Sequence, residues 1–189
     1  MSHKRGEILL RIARLSIAGA LGDSYETDDS AAWLQELGAT FVTLTQKGQL
    51  RGCIGSLQAH RSLLDDVKAN AVAAALHDPR FEPLTAPELE ITEIEVSLLS
   101  ALQPMQFSSE ANALAQLRPG VDGVVLEYGR YRSTFLPQVW EQLPDAVQFM
   151  AQLKLKAGLP AHFWAAEVKL QRYTVSKFKE SDTALEGPS

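Results

Sequence analysis

The sequence predicts an α+β protein in which antiparallel sheets pack against helices. Two pairs of β-rich segments are each separated by a short turn, which is typical of antiparallel hairpins. Helical segments stand between these hairpins without the regular strand–helix–strand alternation of a parallel sheet. Of the 189 residues, 46% are hydrophobic and 22% are charged, which is the balance of a soluble globular protein with a core.

The first half of the chain predicts three helices and three strands. An amphipathic helix over residues 6–20 and a short helix capped within residues 28–30 and ended by Gly38 come first. The turn at residues 46–49 joins strand 41–45 to a second arm, so residues 50–56 (LRGCIGS) form the second strand of a hairpin. Ser62 and Asp65 form a capping box for the next helix, which Pro79 ends, and residues 91–99 alternate as a half-buried strand.

The second half predicts a helix, a second hairpin, another helix and a last strand. Ser108 or Ser109 begins the first helix, and the hairpin has arms 124–128 and 131–136. Pro144 lies in the first turn of the second helix, and Gly158 ends it. The last strand covers residues 166–175. We expect one domain over residues 1–178 and a disordered tail over residues 179–189.

Composition excludes several functional classes. A formal net charge of -5 makes nucleic acid an unlikely partner, because phosphate-backbone binding needs a basic surface. No apolar run approaches the roughly 20 residues of a membrane span, and the single cysteine forms no internal disulfide. We therefore expect a cytoplasmic protein. Nucleotide-binding glycine motifs, zinc-protease motifs and paired cysteines are absent, so we predict no metal and no cofactor.

Residues 50–56 are the first candidate site. With a period of two, Arg51 and Cys53 share one strand face, and a fixed positive charge beside a thiol favours the reactive thiolate. Gly52 and Gly55 leave room for a ligand or for another stretch of backbone. In the alternative interpretation, Cys53 packs as a small buried apolar residue.

Three further groups are candidates for chemistry or binding. His60 follows the motif by seven residues and is the candidate base for Cys53, with a solvated loop residue as the alternative. Asp78 and Arg80 belong to the DPRF segment, where the guanidinium binds a carboxylate or phosphate, or else the pair holds a loop in place. Glu93 and Glu95 share a strand face, where they act as a base or as metal ligands, or else are solvated side chains.

Eight stretches in order resemble the AMMECR domain family, and the bacterial branch called AmmeMemoRadiSam system protein A in particular. The motif at residues 50–55 is the family's hallmark. The stretches are residues 41–44 (FVTL), 50–55 (LRGCIG), 78–81 (DPRF), 96–99 (VSLL), 120–123 (GVDG), 134–137 (TFLP), 156–158 (KAG) and 172–173 (RY).

The resemblance implies an α+β fold in two unequal lobes, with the hallmark motif facing a cleft between them. It also implies an association with a Memo-like protein and a radical-SAM protein, and it brings no settled biochemical activity. A role in nucleic-acid machinery has been suggested for the family, and the acidic composition does not favour direct binding. Gln138 stands where many relatives carry glutamate, so a carboxylate role does not transfer to that position.

Two functional hypotheses follow. In the first, the chain is a binding or adaptor subunit whose cleft around Arg51, Gly52, Gly55, Asp78 and Arg80 holds a small anionic ligand or a partner segment. In the second, it is a thiol-dependent hydrolase or transferase with Cys53 as nucleophile and His60 as base, in which Gly52 or Gly55 amides bind an oxyanion.

Overall fold

The computed structural model describes residues 2–27 and 29–184. Helices and antiparallel strands alternate irregularly along the chain, which confirms the α+β prediction. In chain order the elements are α1 (Ser2–Ala20), a 3₁₀ helix (Ala32–Gln35), β1 (Leu37–Gln46), β2 (Gln49–Gly55), β3 (Arg61–Ser62), α2 (Leu63–Leu76), α3 (Ala86–Leu89), β4 (Glu93–Leu99), β5 (Gln103–Pro104), α4 (Glu110–Gln116), β6 (Gly123–Tyr128), β7 (Tyr131–Phe135), a 3₁₀ helix (Pro137–Glu141), α5 (Ala146–Ala157), β8 (Lys169–Tyr173), β9 (Val175–Lys179) and α6 (Glu180–Ala184).

The chain divides into two compact units. The first comprises residues 1–99 and 176–189, and the second comprises residues 100–175. Within the described residues, every helix falls short of the length or the apolar character that crossing a membrane requires.

The first unit is built on a sheet with strand order β2-β1-β4-β9, and β3 pairs with the start of β1. Apolar side chains of α1 and α2 pack against the inward residues of β1 and β4, so both helices cover one face of the sheet. Because strand residues two apart share a face, the alternate residues of β1, β2 and β4 point to the second face. These second-face residues include Phe41, Thr43, Cys53, Gly55, Glu95 and Ser97.

Capping residues in the sequence predict where several of these helices begin. The Ser62 side chain accepts a hydrogen bond from the Asp65 amide and caps α2, as predicted. The helix predicted to contain Pro144 begins later, at Ala146, because the Asp145 side chain is its N-cap and accepts from the Gln148 amide. The predicted last strand is two strands, β8 and β9, which separate at Thr174.

The sequence predicts a disordered tail over residues 179–189, and the structure has residues 179–184 in β9 and α6. The physical reason is an ion pair. Arg14 donates from Nε to one carboxylate oxygen of Glu180 and from Nη2 to the other, both at 2.6 Å, and Glu180 also accepts from the Ile94 amide at 2.8 Å. Residues 185–189 lie outside the described part of the chain.

The second unit is built on the four-stranded sheet β5-β8-β6-β7. Its core includes the ring of Trp140 stacked on Phe149, with centroids 3.8 Å apart. Tyr173 and Trp140 are buried and Phe135 is partly buried. Gly158 ends α5 in the left-handed conformation at φ 95°, the conformation that glycine adopts without steric cost.

Candidate functional site

Strand β2 is a terminal strand of its sheet, and its main-chain groups alternate in direction. The Ser56 amide donates to the Thr40 carbonyl at 2.9 Å, which continues the register Val42↔Ile54 and Leu44↔Gly52. These are therefore the hydrogen-bonded pairs of the antiparallel ladder. Cys53 and Gly55 belong to the alternate, non-hydrogen-bonded pairs with Thr43 and Phe41. Their main-chain amide and carbonyl groups therefore point away from β1, toward the free edge.

Side chains of the DPRF segment cover this edge at Cys53. The Cys53 amide donates to Oδ2 of Asp78 at 3.0 Å, and Nη2 of Arg80 lies 3.5 Å from the Cys53 carbonyl oxygen. Arg80 also donates to Asp78 from Nε at 3.0 Å and from Nη2 at 2.7 Å. The predicted loop-stabilising role of Asp78 and Arg80 is thus present, and its target is the motif strand itself.

The two charges of this pair differ in exposure. The Asp78 side chain is 2% exposed, whereas that of Arg80 is 55% exposed. The hydrogen bonds from Arg80 are the main cause that holds the pKa of Asp78 well below its ordinary value. The hydrogen bond to Asp78 likewise raises the pKa of Arg80, and the Coulombic attractions of Asp78 and of Cys53 contribute in the same direction. A permanent guanidinium charge therefore lies beside the main chain of Cys53.

Arg51, which the sequence predicts beside the thiol, is instead paired with Glu88. A register shift makes Arg51 the extra residue of a β-bulge, between Leu50 paired with Thr45 and Gly52 paired with Leu44. Simple alternation fails at a bulge. The Arg51 guanidinium binds Glu88, with Nε at 3.0 Å and Nη2 at 2.9 Å from the same oxygen.

Two guanidinium groups lie near the ring of Phe81. The central carbon of Arg51 lies 5.9 Å from the ring centroid and that of Arg80 lies 5.4 Å from it, which are cation–π distances. The Arg51 side chain is 14% exposed, and its Nη1 is buried without a hydrogen-bond partner among the described residues. The Arg51–Phe81–Arg80 group is half inside the protein and half at its surface.

The Cys53 thiol is half-buried and lies near a hydroxyl. Its Sγ is 3.3 Å from Oγ1 of Thr43, the residue opposite it on β1. His60, the candidate base, does not fold back to the thiol and is instead the solvated loop residue of the alternative interpretation. Its ring is exposed, and its Nδ1 is 3.0 Å from the carbonyl oxygen of Gln58 in its own loop. The loop satisfies the imidazole locally, and among the described residues the side chain in hydrogen-bonding distance of Sγ is that of Thr43.

Both motif glycines are required by packing. A side chain at Gly52 would overlap the Ala74 carbonyl oxygen, where α2 crosses β2, and a side chain at Gly55 would overlap the ring of Phe41. The Gly52 amide belongs to the ladder with β1, and the Cys53 amide is bound by Asp78. Of the predicted oxyanion donors, only the Gly55 amide points to the free edge.

A buried polar network at the end of β2 was not predicted. Asp66 is fully buried. Its carboxylate accepts from five donors: the amide and hydroxyl of Thr40, both at 2.7 Å, and side chains of Ser56 at 2.6 Å, Arg61 at 2.8 Å and Asn70 at 3.1 Å. One signal could have revealed it, because Asp66 and Asn70 lie four residues apart on the helix face that carries Ala74.

Glu93 and Glu95 have partners in the last two elements, β9 and α6. Glu95 lies 3.7 Å from Nζ of Lys179, and Glu93 accepts from the hydroxyl of Ser181 at 2.6 Å. Across residues 2–27 and 29–184, histidine, cysteine and carboxylate side chains form no group of three suited to a metal ion.

The family-like stretches of the second unit serve packing. Asp122 of the GVDG stretch is fully buried and accepts from Arg118 at 2.7 Å, and its carbonyl accepts from the indole of Trp140 at 2.7 Å. The Tyr173 ring covers Gly123, and its hydroxyl donates to the Phe135 carbonyl at 3.2 Å. Burial raises the pKa of Tyr173.

Comparison with known proteins supports the family resemblance of the sequence. The family model described as AMMECR1 matches residues 10–178. A protein of Methanothermobacter thermautotrophicus is 36% identical over 95% of this chain and 96% of its own length. Protein MJ0810 of Methanocaldococcus jannaschii is 38% identical over 95% of this chain and 92% of its own length.

A solved structure is similar as well. The crystal structure of uncharacterized protein PH0010 from Pyrococcus horikoshii has a TM-score of 0.78 and 32% identity, and the match covers 94% of this chain and 92% of that one. These relatives are archaeal, so they do not support the narrower assignment to a bacterial branch. The match along nearly the whole chain shows that this protein belongs to the AMMECR1 family.

Proposed function

We propose that this chain is a binding subunit that holds a small anionic ligand at Arg80, beside Cys53, while catalysis is supplied by other proteins. The observation that carries the proposal is the asymmetry of the Asp78–Arg80 pair. The buried carboxylate holds one side of the guanidinium, and more than half of the arginine side chain stays exposed.

The Arg80 guanidinium keeps donors for a ligand. Its Nε and Nη2 bind Asp78, and within the described residues no hydrogen bond engages Nη1. The ring of Phe81 lies against the guanidinium, so the side chain is already ordered before a ligand arrives. A positioned planar fork is the usual recognition element for carboxylates and phosphates.

The contacts of Cys53 favour binding over thiol chemistry. A nucleophilic cysteine is activated by an adjacent base or by a lowered pKa, and the group that lies against Sγ is the neutral hydroxyl of Thr43. His60 is engaged in its own loop. The nearest amides, those of Gly52 and Cys53, are already hydrogen-bonded.

The thiol-dependent enzyme is the second candidate, and one observation favours it. Nη2 of Arg80 lies 3.5 Å from the Cys53 carbonyl oxygen, which places a positive charge near this residue. The alkylation rate of Cys53 as a function of pH separates the two functions. Alkylation that titrates well below the ordinary thiol value of about 8.5 supports the enzyme, whereas a thiol that resists alkylation in the folded protein rules it out.

The partner assignment rests on the family resemblance. We propose that the chain belongs to the AmmeMemoRadiSam branch, acts in the cytoplasm, and works with a Memo-like protein and a radical-SAM protein. The exposed Arg80 surface is the part of this chain that such a system would use for an anionic ligand.

The test is a titration of the protein with inorganic phosphate and with succinate, followed by NMR of backbone amides. We expect the amides of residues 53 and 80 to shift, and Arg80→Gln to weaken binding about tenfold, because a charge-assisted pair contributes about 1.5–3 kcal/mol. Arg80→Lys keeps the charge and loses the fork, so it should fall between the two.

The matched control is Arg130→Gln. Arg130 is also exposed and lies over an aromatic ring, with its central carbon 5.3 Å from the centroid of Tyr131, and the substitution changes the net charge equally. Equal affinity of the wild type and of Arg80→Gln for both anions would refute the proposal.

A further inference from the structure

We infer that the ligand class of this site is the C-terminal end of an extended peptide, which adds antiparallel to β2 at Gly55 and places its terminal carboxylate on Arg80. This inference rests on the proposed function, in which Arg80 binds an anion. It adds the identity of the anion and the way its chain is held.

The free edge of β2 is open at Gly55. Strand β2 ends the order β2-β1-β4-β9, and the amide and carbonyl of Gly55 point away from β1. Neither group has a hydrogen-bond partner within the described part of the chain. An unpaired amide and carbonyl on an edge strand are the template for an added strand.

The Asp78 and Arg80 side chains occupy the same edge at Cys53. They place an acceptor and a donor where a paired strand would have them. A residue of an added antiparallel strand opposite Cys53 would accept from the Cys53 amide and donate to the Cys53 carbonyl. In the structure, Oδ2 of Asp78 accepts from the Cys53 amide at 3.0 Å. Nη2 of Arg80 takes the position of the donor, 3.5 Å from the Cys53 carbonyl oxygen. The side-chain pair thus occupies the place of one strand residue.

The length of the bound chain follows from this geometry. The peptide residue opposite Gly55 exchanges two hydrogen bonds with it, and the residue two positions further along would collide with Asp78 and Arg80. The chain therefore ends one residue after the pairing residue. Its terminal carboxylate then lies next to Arg80, a cation whose side chain is 55% exposed.

The side-chain preference of the peptide also follows. Directly opposite residues in a sheet project to the same face, and on that face of Gly55 lies the ring of Phe41. Phe41 is half-buried, so it presents an apolar surface beside the edge. We expect an apolar or aromatic residue at the penultimate position.

The experiment uses the full chain and two pools of randomised hexapeptides, one with free C-terminal carboxylates and one amidated. We expect the immobilised protein to retain the free-acid pool about tenfold more strongly, since the amide removes a charge-assisted pair. The retained peptides should be enriched in apolar residues at the penultimate position. Arg80→Gln should abolish the preference for the free acid, and Arg130→Gln should keep it.

Hydrogen exchange tests the strand pairing separately. Bound free-acid peptide should slow exchange of the Gly55 amide, and a retained peptide N-methylated at its penultimate residue should lose binding. If phosphate and succinate bind at Arg80 but the two pools are retained equally, or if Gly55 exchange is unchanged, the strand addition is wrong and the anion site stands. If neither the anions nor the peptides bind, both proposals fail.

Discussion

Replacing Gly52 with alanine tests whether the motif glycines serve packing or ligand access. The added methyl group would overlap the Ala74 carbonyl oxygen and would lie 3.1 Å from its carbonyl carbon. Both are main-chain atoms of α2, which is held over the sheet along its length. Relief therefore requires the helix to move away from β2 by roughly an ångström, because optimal non-bonded separations are about 3.5–4.0 Å.

The expected loss of stability comes from this overpacking. Inserting one carbon into a well-packed core costs about 1–3 kcal/mol, and the rigid helix backbone places Gly52→Ala at the upper end. For a chain of this size, each kcal/mol lowers the melting temperature by about 2–4 °C. We expect a fall of about 6–12 °C for the transition that unfolds the first unit.

Gly55→Ala is the matched comparison. Its methyl group meets the side chain of Phe41, and that half-buried ring is able to turn away. The cost should be about 1 kcal/mol, and Phe41→Leu should recover part of it. No single side-chain change should rescue Gly52→Ala in this way.

The assay is urea unfolding followed by hydrogen exchange of peptides from β2 and α2, with peptides from β6 and β7 of the second unit as the internal reference. The free energy of unfolding should fall for the first set and stay constant for the second. If Gly52→Ala is as stable as the wild type in β2 and α2, the close helix approach is not the reason for this glycine.

Two further predictions concern the buried carboxylates. Asp66→Ala should destabilise the first unit by about 3–5 kcal/mol in chemical unfolding, because it leaves five donors and the Arg61 charge without their acceptor. The control is Asp65→Ala, on the exposed side of the same helix turn, which should cost less than about 1 kcal/mol. For Asp78 the folded pKa lies below the unfolded value of about 3.9, so its stabilisation is complete above about pH 4 and is lost as the pH falls further. The difference in unfolding free energy between pH 7 and pH 3 should therefore be smaller in Asp78→Asn than in the wild type, and an equal difference would contradict the lowered pKa of Asp78.

The sequence predicted the elements whose causes are local. The cap formed by Ser62 and Asp65, the left-handed Gly158 and the two hairpins all depend on residues within a few positions of one another. The family resemblance was also visible in short ordered stretches, and the match over residues 10–178 confirms it. These features follow from backbone preferences and hydrophobic period, which a single chain segment contains.

The tertiary structure decided which of the motif's groups are available. A bulge turns Arg51 toward Glu88, which is 37 positions away, and the Cys53 amide binds Asp78, 25 positions away. The alternation of residues 50–56 contains neither partner, so it predicted Arg51 beside the thiol, whereas the structure pairs Arg51 with Glu88 and brings Arg80 to the Cys53 main chain. Hydrogen bonds and ion pairs between distant segments depend on how the sheet and the helices pack. The same packing buries Asp66 and leaves no room for a side chain at Gly52 or Gly55.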